Sequence, residues 1–150
     1  LFEYNYTLYD RVWDSINLLT EKQFIQKIDY SHGSLRNQII HVAMTERRWL
    51  LALHELPDAR QYSLNPIDFP DRVSAHALWL STAQDVTNYV ALLNDDELDR
   101  VPNGMRGPVR QVLYHLVNHG TDHRAQILRV LHDFGAPTFD QDLILYLWNT

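Results

Sequence analysis

The chain has 150 residues, 45% hydrophobic and 21% charged, with a formal net charge of −6. That length supports one domain, 1–150, with a real core, and the composition excludes a disordered or fibrous chain. Arg is scattered among Asp and Glu, which excludes the basic stripe of a nucleic-acid surface, and no apolar run approaches the ~20 residues that cross a bilayer.

A first helix is expected over about 1–19. Phe2, Tyr6, Tyr9, Trp13 and Ile16 recur in steps of four and three, which makes one apolar stripe. Leu1 to Tyr4 lack the basic flank and apolar block of a signal peptide, and the absence of cysteine fits the cytoplasmic residence expected. Thr20-Glu21-Lys22-Gln23 reads as a capping box for a short helical piece. Ser31-His32-Gly33-Ser34 is a loop, with Ser34 placed to cap a second helix over about 35–54. The stripe of that helix is Leu35, Ile39, Val42, Trp49 and Leu53.

Residues 57–71 are rich in Pro, Asp and Asn and read as a long connection. A third helix follows over about 72–93, with Trp79, Ala83, Val86, Val90 and Leu93 in heptad-like spacing. Residues 94–107 form a second irregular segment, broken by Pro102, Gly104 and Gly107. Pro108 suits the first turn of a fourth helix over about 109–134, which Gly135 stops. The tail, 140–148, is expected to pack back as a short helix. The whole reads as an all-α four-helix bundle with long connections and a short C-terminal helical segment.

With no cysteine, any metal site must rest on His, Asp and Glu, and the chain carries eight histidines. His115, His119 and His123 stand at steps of four in the fourth helix. Residues four apart share a helix face, so two such imidazoles can close on one ion at ~2.0–2.1 Å. By helical projection this ladder runs along the border of the apolar face, with His123 inside its edge. A third ligand from another helix would complete the set, and His41, His54 and His76 are the candidates. His32 and His132 read as loop or surface residues. Projection turns His41 away from the second helix's stripe and puts Glu46 within it. Glu46 is thus open to three roles: a further ligand, a partner for an imidazole N–H, or a core acid paired with Arg.

The chain resembles the DinB/YfiT-like family of four-helix-bundle metal proteins. Tyr4-Asn5, Tyr9 and Trp13 resemble its first helix. Ser34-Leu35, His41, Glu46 and Trp49 resemble its second. His115-Leu-Val-Asn-His119-Gly-Thr-Asp-His123 resembles its most recognisable motif, and Gly135-Ala-Pro137 with Asp142 and Tyr146 its ending. The resemblance implies that His41, His119 and His123 are the metal ligands, that His115 lies beside them, and that Glu46 is supporting. Asp122 stands where many members carry His, and Ala125 where Gly is common.

Three neutral imidazoles leave coordination positions open, the pattern of a catalytic site. One divalent transition metal is expected, and nickel, zinc, iron and manganese all accept imidazole. The expected function is a metal-dependent hydrolase or a transferase using a small thiol, acting on a small-molecule substrate. Glu46 and Asp122 are the candidate catalytic residues, with Asp10 or Asp14 as further proton carriers. The alternative is a non-catalytic metal-binding or partner-binding bundle. No nucleic-acid or membrane partner is expected, and the aromatic-rich first helix suggests a homodimer.

Overall fold

The computed structural model describes residues 1–149, and among them every regular element is helical. Four long helices form the body: α1 (Phe2–Asn17), α3 (Leu35–Leu53), α4 (Arg72–Ala91) and α6 (Val109–Asp133). Three short ones lie between or after them: α2 (Glu21–Ile25), α5 (Asp95–Asp99) and α7 (Leu143–Asn149). No helix among the described residues is long and apolar enough to cross a membrane.

The ends of these helices follow from local chemistry. Thr20 accepts from Gln23 N while the Gln23 side chain accepts from Thr20 N, the reciprocal pair that starts α2. Ser34 accepts from Asn37 N at 3.1 Å and starts α3. Pro108 sits one residue before α6 rather than in its first turn. At the far end Gly135 adopts φ +75, so Ala136 N–H reaches back to Leu131 O at 2.9 Å.

The segment read as irregular over 94–107 contains α5. Asn94 accepts from Glu97 N, and Asp95, Asp96 and Glu97 fill the first turn, where the helix dipole favours acids. Two turns of 3-10 helix, Ala59–Gln61 and Pro66–Asp68, lie within the 57–71 connection.

The stripes meet in two apolar clusters. Tyr9, Trp13, Ile39, Val42, Trp79, Ile127 and Leu131 belong to the larger one, and Leu53, Val109, Val112, Leu113 and Leu116 to the smaller. Burying a side chain of this size contributes roughly 1.5–3 kcal/mol. α3 enters the larger cluster first and the smaller one last, whereas α6 does the reverse. The two helices therefore run antiparallel; His119 and His123 fall between the clusters on α6, and His41 lies on α3 between Ile40 and Val42 of the larger one.

The aromatic stripe on α1 lies partly inside the fold, with Phe2 and Tyr6 half-buried. Tyr4, Tyr9, Trp13 and Ile16 are buried, and the helix turns Glu3, Thr7, Asp10, Arg11 and Asp14 outward. The tail does pack back through Tyr146, whose ring meets Tyr4 edge-on at 5.3 Å, while Tyr4 donates its hydroxyl to Gln141 O.

Candidate metal centre

α1 approaches α6 closely at Gly120. A Cβ there would come within 2.5 Å of Asn5 Oδ1, so only glycine admits this contact. Tyr9 donates to Gly120 O at 3.1 Å, and Asn5 Oδ1 accepts from Arg124 Nη1 at 2.7 Å. These buried bonds fix the rotation of α6, and with it the direction of the histidines on either side of Gly120.

The ladder on α6 and His41 on α3 converge. His119 Nε2 lies 3.3 Å from His41 Nε2. The His123 ring lies 4.2 Å from that of His119 and 4.7 Å from that of His41, centroid to centroid. Gln38, buried on α3, holds His123 through its side-chain amide, 3.2 Å from Nδ1. His119 Nδ1 is buried without a hydrogen-bond partner. His115 lies one step further along, its ring 5.6 Å from that of His119 and edge-on to Trp49 at 5.4 Å.

His32, read from the sequence as a loop or surface residue, is in the loop before α3 and exposed as a residue. Its ring nonetheless stacks on that of His41 at 3.8 Å and 20°. The ligand atoms of His32, His41 and His123 all lie within 4.8 Å of one another. The structure thus gathers His41, His119 and His123 with one histidine that the helical pattern could not place.

The other candidates stand elsewhere. His76 stacks on Trp13 at 4.2 Å, His54 meets Tyr89 edge-on at 5.0 Å, and His132 pairs with Asp133 at 3.5 Å. Glu46 is 1% exposed and accepts from Tyr6 at 3.1 Å, while its second oxygen is buried without a partner. Its bonded partner is thus a tyrosine rather than the Arg or imidazole allowed for in the sequence. Asp122 is exposed and accepts from Gln126 at 3.0 Å. Asp10 and Asp14 are exposed on α1, with His76 close enough to influence Asp10.

Burial sets the electrostatics. It pushes His41 down to about 4 and His119 down to about 3, and mutual repulsion among the clustered imidazoles adds to both shifts. Burial also lowers His32 and His123. At neutral pH these rings are uncharged and keep a lone pair each. Burial pushes Glu46 up to about 8, against the opposing hydrogen bond from Tyr6, so it is mainly a neutral acid at pH 7.

The residues fit a metal ion. Two nitrogens bound to one ion at ~2.1 Å lie about 3.0–3.4 Å apart, at angles between square and tetrahedral. The His41–His119 separation of 3.3 Å, Nε2 to Nε2, falls in that span. Neutral imidazole is also the protonation state that binds metal.

Two openings adjoin the cluster. A small pocket of about 240 Å³ is lined by His32, His41, Asn37 and Met44. The larger cleft, about 1190 Å³, lies beside the cluster rather than on it and reaches it at His115 and Trp49. Its charged lining is Arg48, Arg60 and Arg106 against Glu55 and Asp58, a small positive excess.

A family model described as "DinB family" matches residues 1–150. The chain is 24% identical over 163 aligned residues to "Protein DinB" of Bacillus subtilis (strain 168), an alignment that covers all of this chain and 93% of that protein.

Proposed function

We propose a metal-centred function for this chain, which belongs to the DinB family: one divalent transition metal held by His41, His119 and His123, serving a hydrolase or a small-thiol-dependent transferase. The observation that carries the reading is the approach of two neutral imidazoles from antiparallel helices, Nε2 to Nε2 at 3.3 Å. A metal at that point supplies Lewis acidity toward a substrate oxygen and makes a protic group bound to it more acidic.

The chain's own residues do the rest. Gln38 orients His123, and the buried contacts at Gly120 orient α6. Trp49 and His115 line the large cleft, and the His115 ring lies 5.6 Å from that of His119, so a small molecule seated in the cleft would approach the centre from that side. The positive excess of the cleft suits a substrate or thiol that carries a carboxylate. Asp122, exposed on α6 one residue before His123, is placed to exchange protons with solvent. Glu46 is the weaker catalytic candidate, because it is buried and already bonded to Tyr6.

The test is a titration of the cobalt(II)-loaded protein with small thiols and with small carboxylate esters. A visible-spectrum change on thiol addition, followed by S-transfer to an electrophile, supports the transferase form. Ester turnover without a thiol supports the hydrolase form. Cobalt bound at one equivalent, with neither response, favours a metal-binding module that has no catalysis.

A further inference from the structure

We infer that His32 is a fourth ligand of the same centre, carried on the loop before α3 and able to leave it without disturbing the bundle. This rests on the metal reading above. It starts from geometry: His32, His41 and His123 present ligand atoms that all lie within 4.8 Å of one another. The His32 ring lies 3.8 Å from that of His41 and 5.4 Å from that of His123.

The loop is built to hold this position. His32 N–H donates to Gln38 Oε1 at 3.4 Å, and Asn37 Nδ2 donates to His32 O at 3.0 Å. Ser31 Oγ lies 2.5 Å from the side-chain oxygens of both Gln38 and Gln126. Ser31 and Gly33 flank His32 with φ of +49 and +84, which folds the turn back over the start of α3. Gln38 is the common element, because the same side chain that lies 3.2 Å from His123 Nδ1 also accepts from the backbone of His32. One residue therefore sets the placement of two imidazoles, one on α6 and one on the loop.

The consequence is a centre whose ligands differ in mobility. His41, His119 and His123 are fixed to α3 and α6, and moving any of them means moving a long helix. His32 is held by side-chain bonds to a turn. His32 would fill one position of a bound ion once its ring turns out of the stack on His41, and would yield that position to an entering substrate group.

Stacking alone would also bring His32 onto His41, so the test must separate a ring from a ligand. His32→Phe keeps an aromatic ring and removes the nitrogens. Cobalt(II) is loaded into wild type, His32→Phe, His132→Ala and His119→Ala, and the exchangeable, paramagnetically shifted imidazole N–H signals are counted. Four signals are expected in wild type and His132→Ala, and three in His32→Phe, with cobalt affinity lowered about tenfold or more in His32→Phe. An unchanged signal count and affinity in His32→Phe would overturn this inference alone, provided that His119→Ala loses cobalt. No cobalt uptake by wild type would overturn the metal reading and this inference together.

Discussion

His41 and His119 stand 78 positions apart in the chain and meet Nε2 to Nε2 at 3.3 Å. Each is neutral at pH 7 because burial and neighbouring imidazoles oppose its protonation. A pair of this kind loses nothing by binding a cation and gains the bonds.

Metal binding should therefore stabilise the fold. An ion that binds only the folded state adds about 2.7 kcal/mol at a hundredfold excess over its dissociation constant. For a chain of this length that raises Tm by several degrees. Zinc added to metal-free wild type should show this rise in a thermal melt. His41→Ala should show little or none, and an equal rise in both would place the ion elsewhere.

The metal-free centre should resist protonation in acid. The folded pKa values of His41 and His119, about 4 and about 3, lie below the ordinary 6.5. The stability these groups contribute is thus present above pH 6.5 and lost as pH falls through their folded values. At pH 5.5 the nitrogen-15 spectrum of the apo protein should show both rings neutral. The His41→Phe, His119→Phe double variant should lose less stability between pH 6.5 and 4 than wild type does. Two charged rings at pH 5.5 would contradict the burial argument.

Glu46 shifts the other way. Its folded pKa, about 8, exceeds the ordinary 4.5, so its contribution is whole below pH 4.5 and is lost as pH rises through 8. Between those values the slope approaches about 1.4 kcal/mol per pH unit. Glu46→Gln keeps the shape without the charge, so its advantage over wild type in urea unfolding should grow from pH 5 to pH 9. A constant difference across that range would mean that the carboxyl is ionised in the fold.

Gly120→Ala should destabilise the protein by about 1–3 kcal/mol, the usual penalty for overpacking. The clash is with Asn5 Oδ1, itself held by Arg124, so neither neighbour can yield cheaply. Because Gly120 follows His119 directly, metal affinity should fall with stability. Unchanged urea midpoints would show that α1 can back away from α6.

Much of the fold could be read from residue pattern, because stripes and caps are local. Thr20, Ser34 and Gly135 mark ends that the structure places within a residue or two of expectation. The helix at 95–99 was equally readable from Asn94 and three acids, yet Pro102 and two glycines downstream hid it. The centre was harder. Helical projection turned His41 away from the apolar stripe, and only the family resemblance chose it. In the structure His41 does lie off that stripe, facing α6 and the loop histidine, so the apolar periodicity carries no signal for it. His32 carried no periodic signal at all, since nothing in a turn fixes where a side chain points. Its placement depends on Asn37 and Gln38 in the first turns of α3 and on Gln126 of α6, which meets the turn only after folding.

The central claim is that the histidine cluster holds a metal, and elemental mass spectrometry of the untagged protein tests it most directly. About one transition metal per chain is expected in wild type, and none in the His119→Ala, His123→Ala double variant. No metal in wild type, even after reconstitution with nickel or zinc, would contradict the account and leave a helical bundle with closely packed, neutral histidines.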